Sequence, residues 1–256
     1  MQIGGVFVQV GQDVVRMAEQ AATDFADCAR ALLAHRPALN AVFAGAESQM
    51  AFHRALARRA DISWSRIHAF AVDDFWAPGL PEACAVAAEP KRELYAHVHP
   101  ASVNVIDPCA PDAEAEARRY EALIRAHPPH LACIGIGCSG HLALNEPGDT
   151  DFKDSRWVRV VTVCEASRRQ LESDPNFCAL PAIPRQGITL TLPAILQAER
   201  ILAIVPYAIK APIVKRFLEC SVTEALPATI LKKHSGTRLY LDQDSFREVS
   251  RKGPRG

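Results

Sequence analysis

The sequence lacks a surplus of either charge and lacks long apolar runs. Lysine and arginine together number 29, as do aspartate and glutamate, so the formal net charge at pH 7 is zero. A basic surplus would indicate a nucleic-acid partner and an acidic tail a basic partner, and the sequence has neither. No apolar run approaches the roughly 18 to 20 residues that span a bilayer. We therefore expect no nucleic-acid partner and no membrane segment.

Signals for metal binding and export are also missing. The eight cysteines, at positions 28, 84, 109, 133, 138, 164, 178 and 220, form no Cys-x-x-Cys pair and no zinc-finger spacing. Residues 1–8 have neither the basic nor the apolar region of a signal peptide. We expect reduced thiols, no structural metal and a cytoplasmic location.

The chain does have enough apolar residues, 49% of 256, to bury a core. Short apolar runs predict strands, several of them apolar on both faces as buried parallel strands are. The predicted strands are 42–43, 67–72, 103–106, 131–136, 157–163, 188–192, 201–205 and 238–241. Amphipathic runs predict helices over 12–35, 112–124 and 210–218.

This alternation predicts an α/β fold: an open, mostly parallel, doubly wound (Rossmann-like) sheet with helices on both faces. The sequence has no internal repeat and no Gly/Ser linker, so we expect a single domain over 1–249 and a flexible basic tail over 250–256. Ligands of such sheets bind at the carboxyl ends of the strands. The loops after Val72, Ile136 and Val205 have unusual polar content and are the candidates.

The loop after Ile136 contains a glycine pattern. Gly135, Gly137 and Gly140 match the dinucleotide-binding spacing Gly-x-Gly-x-x-Gly. A dinucleotide site needs a long helix after the glycines, and Pro147 ends the segment too early for one. We therefore do not predict a nicotinamide cofactor.

The same loop presents an imidazole and a carboxylate. His141 and Glu146 are five residues apart, close enough in a flexible loop to converge on one small molecule. Imidazole transfers protons near pH 7, so this pair predicts acid–base chemistry.

Residues 135–147 resemble a family signature. They read Gly-Ile-Gly-Cys-Ser-Gly-His-Leu-Ala-Leu-Asn-Glu-Pro. The run is similar to the Gly-x-Gly-x-Asp-Gly-His-x-Ala-Phe-Asn-Glu-Pro pattern of the glucosamine-6-phosphate deaminase (isomerase) family. The wider superfamily includes the 6-phosphogluconolactonases, which lack the Asn-Glu-Pro ending. Asn145, Glu146 and Pro147 therefore favour the deaminase branch.

Other segments resemble the same family in the same order, over roughly residues 40–245. They are 70–75, 112–124, 188–191, 198–200, 210–211, 227–231, His234 and Asp242. We interpret His234 and Asp242 as structural.

The resemblance implies conversion of a 2-amino aldose phosphate to a ketose phosphate and ammonia, without cofactor or metal. His141 would open the sugar ring, Asp73 would move the C2 proton to C1, and Glu146 would hold His141. Lys210, with Arg168, would bind the phosphate. The other substrate contacts that we expect are Gly45, Ser48, Asp74, Gly137, Ser139, Gly140 and Asn145.

Asp73 and Asp74 also have a simpler interpretation, since carboxylates after a strand cap helices. Two adjacent carboxylates at a strand end crowd each other and raise one pKa, which favours function.

Two departures from the family pattern bear on this hypothesis. Ser139 stands where many members have an aspartate that orients the histidine. The first phosphate loop, Thr-Gly-Ser-Thr-Pro in the family, corresponds to 43–49, where Gly45 and Ser48 remain and Glu47 would repel a dianion.

Two alternatives stay open. In a lactonase, His141 would activate water; in a sugar-binding sensor, the fold would bind without chemistry. A homo-oligomer is compatible with the family, and a small-molecule sugar phosphate is the partner that we expect.

Overall fold

A central sheet of eight strands runs through the computed structural model, which describes residues 1–172, 180 and 182–249. The tail predicted over 250–256 and Cys178 lie outside the described residues. In chain order the described strands are β1 (Gln2–Ile3), β2 (Val6–Val10), β3 (Leu39–Phe43), β4 (Ile67–Ala71), β5 (Asp73–Trp76), β6 (Ser102–Asn104), β7 (Leu131–Ile134), β8 (Val158–Thr162), β9 (Gln186–Leu190), β10 (Arg200–Ile204) and β11 (Thr237–Leu241).

Helices connect most of these strands. The α-helices described are α1 (Val14–Leu33), α2 (Glu47–Ala57), α3 (Ala88–Pro90), α4 (Ala113–Ala126), α5 (Glu165–Glu172), α6 (Leu192–Ile195), α7 (Ala211–Glu219) and α8 (Gln243–Phe246). Short 3-10 helices cover Trp64–Arg66, Glu82–Cys84, Ala208–Lys210 and Pro227–Lys233, and a π-helical turn covers Lys91–Tyr95. Asp112 caps the amino end of α4 by accepting hydrogen bonds from the backbone of Glu114 and Ala115, so the predicted helix 112–124 begins where expected.

The sheet has helices on both faces. Its order is β1-β2-β11-β10-β7-β3-β4-β6, and its strands pair in parallel apart from β1 with β2. Apolar side chains of α4 and α7 pack against one face, and those of α1 and α2 against the other. The prediction of an open, mostly parallel, doubly wound α/β sheet is confirmed.

A second, smaller sheet differs from the sequence prediction. Segments 157–163 and 188–192 are strands as predicted, but they lie apart from the main sheet, where β9 pairs antiparallel with β8 on one side and with β5 on the other. The burial of β8 alternates incompletely and its last residue is exposed, as in a strand with only one covered face. The pairing of β5 with β9 joins residues more than 100 positions apart, which no local pattern encodes.

The sequence patterns also miss β2 and α2. Strand β2 is five residues long and follows two glycines, so its pattern is weak. The first turn of α2 is Glu47, Ser48 and Gln49, and these polar residues resemble a loop.

Aromatic packing fixes the strand that leads to the site. Strand β3 is buried along its whole length. Phe43 at its end packs on Phe25 of α1, with 5.8 Å between ring centroids, and Phe25 stacks on Trp64 at 5.9 Å. These separations are typical of favourable aromatic pairs. This aromatic packing therefore fixes the position of the carboxyl end of β3.

The described residues also bear on the expected absence of a membrane segment and on the state of the cysteines. Among the described helices, none combines the length and apolar character needed to cross a bilayer. In the described part of the chain, the cysteines without a disulfide partner include Cys28, Cys109, Cys133, Cys138, Cys164 and Cys220.

Tyr120 of α4 joins two strand ends beside the predicted site. Its hydroxyl donates a hydrogen bond shared by the carbonyl oxygens of Ala71, at 2.8 Å, and Asn104, at 3.1 Å. Burial raises the pKa of Tyr120, so the hydroxyl keeps its proton. Because Ala71 lies two residues before Asp73, this contact helps to place the Asp73 backbone.

We expect Tyr120→Phe to lower the free energy of unfolding by about 1 to 2 kcal/mol, because two buried carbonyls lose their donor. Urea denaturation measures this change. Tyr95→Phe is the matched control, since the described residues offer no hydrogen-bond partner to the Tyr95 hydroxyl, and we expect a change within about 0.5 kcal/mol. Equal destabilisation of both variants would contradict the role of the Tyr120 hydroxyl.

Candidate active site

The loop after β7 folds back on itself and places His141 above the end of the strand. The backbone N–H of Gly137 donates to the His141 carbonyl at 3.0 Å, and that of Gly140 donates to the Gly137 carbonyl at 2.9 Å. Gly140 has a φ of 91°, and a Cβ there would lie 2.1 Å from Leu226 Cδ1. The backbone conformation therefore favours glycine at 140, and a larger residue would also displace the end of the Leu226 side chain.

His141 is held by a carboxylate and a hydroxyl. Its Nδ1 lies 2.8 Å from Glu146 Oε1 and 2.8 Å from Ser139 Oγ. Ser139 Oγ donates to Glu146 Oε2 at 2.7 Å, and Ser167 Oγ of α5 donates to Oε1 at 2.7 Å. The His141 side chain is 22% exposed and that of Glu146 7% exposed, so the ring faces the site while the carboxylate lies beneath it.

The hydrogen-bond network assigns the tautomer of His141. A carboxylate only accepts hydrogen bonds, so both serine hydroxyls donate to Glu146. Since the Ser139 hydrogen is used in this way, Ser139 Oγ accepts from Nδ1 of His141. Nδ1 thus carries a proton in both charge states of the ring, and Nε2 is the nitrogen that gains and loses one.

Gly137 leaves room for that nitrogen. A Cβ at position 137 would lie 1.9 Å from His141 Nε2. Any other residue would displace the ring, so this glycine has a steric role in the site.

Glu146 remains ionised. Burial alone would raise its pKa, but the hydrogen bond and charge of His141, with hydrogen bonds from Ser139 and Ser167, lower the pKa to about 2. Donors to a carboxylate stabilise its charged form. Glu146 is therefore a fixed negative charge next to His141.

Asp73 and Asp74, at the start of β5, have opposite surroundings. Asp73 is 7% exposed, and no hydrogen bond from the described residues reaches its carboxylate. Asp74 is fully buried and accepts hydrogen bonds from the backbone N–H groups of Phe75, Val86 and Ala87 at 2.8, 2.8 and 3.2 Å. Asp74, which we expected to contact substrate, thus binds its own loop.

This difference makes Asp73 the stronger base. Burial, and then the charge of Asp74, raise the pKa of Asp73 to about 8. Burial also raises the pKa of Asp74, to about 7, with the three backbone donors opposing it. Because only Asp74 has donors, it holds its negative charge more readily, and Asp73 binds a proton more tightly.

Strand β9 connects Asp73 to the His141 loop. Thr189 pairs in register with Asp73, and its Oγ1 accepts a hydrogen bond from the Leu144 backbone at 3.2 Å. The Leu190 N–H donates to the Val72 carbonyl at 2.9 Å. The position of Asp73 relative to His141 therefore depends on this one strand.

Asn145 reinforces the same connection. Its side-chain nitrogen donates to the carbonyl oxygens of Leu142, at 2.9 Å, and Leu190, at 2.8 Å. Only 2% of Asn145 is exposed, so the residue that we expected to contact substrate holds the loop against β9.

The loop after β3 lies beside this site. Gly45 and Asp73 line one small cavity. Ser48, in the first turn of α2, accepts a hydrogen bond from Gln49 Nε2 at 3.1 Å. A Cβ at Gly135 would lie 3.5 Å from Ser48 Oγ, so Ser48 is next to the loop that carries His141.

Lys210 is the N-cap of α7 in the segment that follows the carboxyl end of β10, the strand next to β7 in the sheet. It is half-buried and forms no ion pair with the described residues. Tyr207 before it has a φ of 81°, which is uncommon for a residue other than glycine. The Asp242 carboxylate accepts from the Tyr207 N–H at 3.1 Å and caps α8, which fits the structural role predicted for Asp242.

Arg168 lies on α5, one residue after Ser167. Its guanidinium pairs with Glu165 at 3.0 Å, and its Nε is buried without a hydrogen-bond partner among the described residues. Its expected contact with a phosphate remains a prediction.

Sequence reasoning missed Ser167 and Thr189. Both contact the site through tertiary structure, and a serine in a polar helix or a threonine in a strand carries no local signal. The described residues contain no group of three His, Cys, Asp or Glu side chains able to hold a metal ion, and a metal-free reaction remains a prediction.

The sequence comparisons converge on one family. A family model described as glucosamine-6-phosphate isomerases/6-phosphogluconolactonase matches residues 12–240. The glucosamine-6-phosphate deaminase of Bacillus cytotoxicus is 32% identical over 158 residues, which are 61% of this chain and 58% of that protein. The deaminase of Bacillus thuringiensis is 31% identical over 160 residues, with the same shares. The match thus spans less than two thirds of these relatives.

Solved structures show the same fold. A monomeric glucosamine-6-phosphate deaminase has a TM-score of 0.84 and 25% identity, covering 95% of this chain and 100% of its own. The 6-phosphogluconolactonase of Thermotoga maritima has a TM-score of 0.72 and 19% identity, covering 93% and 99%. Because the family model covers most of the chain, this protein belongs to the family of glucosamine-6-phosphate isomerases and 6-phosphogluconolactonases.

Proposed function

We propose that the protein is a glucosamine-6-phosphate deaminase, which converts the amino sugar phosphate and water to a ketose phosphate and ammonia. The observation that carries this proposal is the connection of two different acid–base groups through β9. Thr189 of this strand pairs with Asp73 and accepts a hydrogen bond from the backbone of the His141 loop. His141 lies against the ionised Glu146, its Nε2 forms no hydrogen bond with the described residues, and Asp73 is a buried base at the start of β5. The similarity to deaminases over 61% of the chain supports it.

His141 performs the first step, which opens the sugar ring. Nε2 accepts the proton of the anomeric hydroxyl and returns one to the ring oxygen, giving the free aldehyde at C1. The imidazole ring of His141 is positively charged between these two proton transfers, and the adjacent Glu146 carboxylate stabilises that charge.

Asp73 performs the second step. Its carboxylate removes the proton from C2 while the C2 ammonium group passes a proton to the aldehyde oxygen O1, which gives an enolamine. Asp73 then returns its proton to C1, which leaves an iminium ion at C2. Water adds to this carbon, a proton of the added water passes to the nitrogen, and ammonia leaves to give the ketone, with the remaining proton taken up by the ammonia. A carboxylate with few donors and a raised pKa suits proton removal from carbon.

The phosphate is assigned to Lys210 and Ser48, with Arg168 as a further candidate. Lys210 supplies a cation that no described acidic residue neutralises. Ser48 lies in the first turn of α2, where backbone N–H groups favour anions, although Glu47 in the same turn opposes a dianion. An oligomer remains a prediction, since a monomeric deaminase is among the similar structures.

The decisive experiment measures ammonia and fructose 6-phosphate released from glucosamine 6-phosphate by the purified protein. We expect equal amounts of both, and a loss of about 100-fold or more in kcat for Asp73→Asn, which removes the base. Asp244→Asn, at an exposed carboxylate of α8, is the matched control and should keep wild-type activity. Hydrolysis of 6-phosphogluconolactone instead would favour the lactonase, and binding of sugar phosphate without either reaction would favour the sensor.

The pH dependence should follow Asp73. Because the base must be ionised and its pKa is raised to about 8, kcat/KM should increase as the pH rises through this value. Asp74→Asn removes the neighbouring charge, which is one cause of that shift, so the acid limb should move to lower pH. The measurement is kcat/KM from pH 5 to 10 for both proteins, with circular dichroism to confirm folding. An acid limb that does not move would contradict the coupling.

Removal of the free cation should weaken substrate binding. We expect Lys210→Ala to raise KM for glucosamine 6-phosphate by about 10- to 100-fold, because a charged hydrogen bond to phosphate is lost, with a smaller change in kcat. Lys215→Ala, also half-buried on α7, is the control and should leave KM within about twofold. An unchanged KM in Lys210→Ala would place the phosphate elsewhere.

A further inference from the structure

Ser167 contacts the catalytic pair from outside its loop. Ser139, His141 and Glu146 all belong to the loop after β7, whereas Ser167 lies on α5, 21 positions after Glu146. Its hydroxyl donates to Glu146 Oε1 at 2.7 Å, the same oxygen that His141 Nδ1 approaches at 2.8 Å. Ser167 and His141 therefore share one acceptor atom.

The orientation of the Ser167 hydroxyl is itself determined. The Cys164 thiol lies 3.3 Å from Ser167 Oγ and acts as its donor, and the Ser167 backbone N–H approaches the Cys164 sulfur at 3.4 Å. With its lone pair satisfied by Cys164, Ser167 directs its own hydrogen to Glu146.

We propose that Ser167 is a positioning residue for the ring-opening step, acting on His141 through the oxygen of Glu146 that they share. This proposal rests on the proposed deaminase function for its effect on rate, but not for its effect on His141 itself.

Two consequences follow from the shared oxygen. With Ser139 on Oε2 and Ser167 on Oε1, the carboxylate is pinned at both oxygens and cannot rotate away from Nδ1. A donor on Oε1 also withdraws part of the negative charge that would otherwise act on His141 alone. Without the Ser167 donor, more of the carboxylate charge would act on Nδ1 of His141.

Few charged groups surround the hydrogen bond between Ser167 and Glu146. His141 is the charged group that acts on Glu146, and on α5 the neighbouring Arg168 is paired with Glu165. Removal of the Ser167 hydroxyl consequently changes the local electrostatics through Glu146 and not through a released cation.

The test compares Ser167→Ala, Ser167→Thr and Ser155→Ala in the full chain. Ser155 is exposed and its hydroxyl forms no hydrogen bond with the described residues, so Ser155→Ala is the matched control. We expect Ser167→Ala to lower kcat by about 3- to 10-fold with KM within about twofold, because the lost interaction positions a catalytic group and not the substrate. Ser167→Thr keeps the hydroxyl and should restore at least half of the lost kcat.

A second readout needs no substrate. Nitrogen-15 NMR of the His141 ring, assigned with His141→Gln, follows the loss of its proton as the pH is raised. In Ser167→Ala this should occur at a pH higher by about 0.5 to 1 unit than in the wild type, and in Ser167→Thr at the wild-type pH. If Ser167 had a purely structural role, the pH at which the His141 ring loses its proton would be the same in Ser167→Ala and in the wild type.

The outcomes separate this proposal from the proposed function. If the wild type releases no ammonia but the NMR shift occurs in Ser167→Ala alone, the deaminase assignment fails and the positioning role of Ser167 stands. If Ser167→Ala matches Ser155→Ala in kcat and in the His141 titration, the proposal is overturned. If Ser167→Thr behaves like Ser167→Ala in both readouts, the hydroxyl is not responsible and the proposal is also overturned.

Discussion

Strand β9 is the support on which the site depends. It belongs to neither the loop that carries His141 nor the strand that carries Asp73, yet it hydrogen-bonds to both. Thr189 pairs with Asp73 in register and accepts a hydrogen bond from the backbone of Leu144, while the Leu190 carbonyl accepts the side chain of Asn145. The contacts are short and buried, so the two acid–base groups keep a fixed relation although 68 positions separate them in sequence. The small antiparallel sheet thus fixes the positions of Asp73 and His141 relative to each other, which the main parallel sheet alone would not do.

The site treats its carboxylates in opposite ways. Glu146 receives hydrogen bonds from two serines and from His141, which lower its pKa to about 2 and make it a permanent charge. Asp73 receives none from the described residues and is buried, which raises its pKa to about 8 and makes it a base. Burial raises the pKa of both carboxyls, and the opposite outcomes follow from their neighbours: Glu146 has side-chain donors and the charge of His141, whereas Asp73 has the negative charge of Asp74. Asp74 uses backbone donors to hold its loop, and its charge increases the basicity of Asp73.

Ser139 shows how a departure from the family pattern is accommodated. Where the family signature that residues 135–147 resemble has an aspartate, this chain has a hydroxyl that bridges His141 and Glu146. No negative charge is added at that position, and Ser167 contributes a further neutral donor from α5. His141 therefore depends on one carboxylate, held at both oxygens by serines. The first loop departs in another way, since Gly45 and Ser48 remain beside the site while Glu47 opposes an anion.

The sequence by itself determined the alternating α/β order, the parallel sheet and the loop that carries His141 and Glu146, because apolar periodicity and a glycine-rich motif are local signals. It also located Asp73 and Lys210 after strands, where ligands of such sheets bind. Only the tertiary structure decided that β5, β8 and β9 form a separate sheet, that Asp74 and Asn145 bind backbone and that Ser167 reaches Glu146. These contacts join residues distant in sequence, and a hydrogen bond between them depends on how the chain packs, which no short segment encodes.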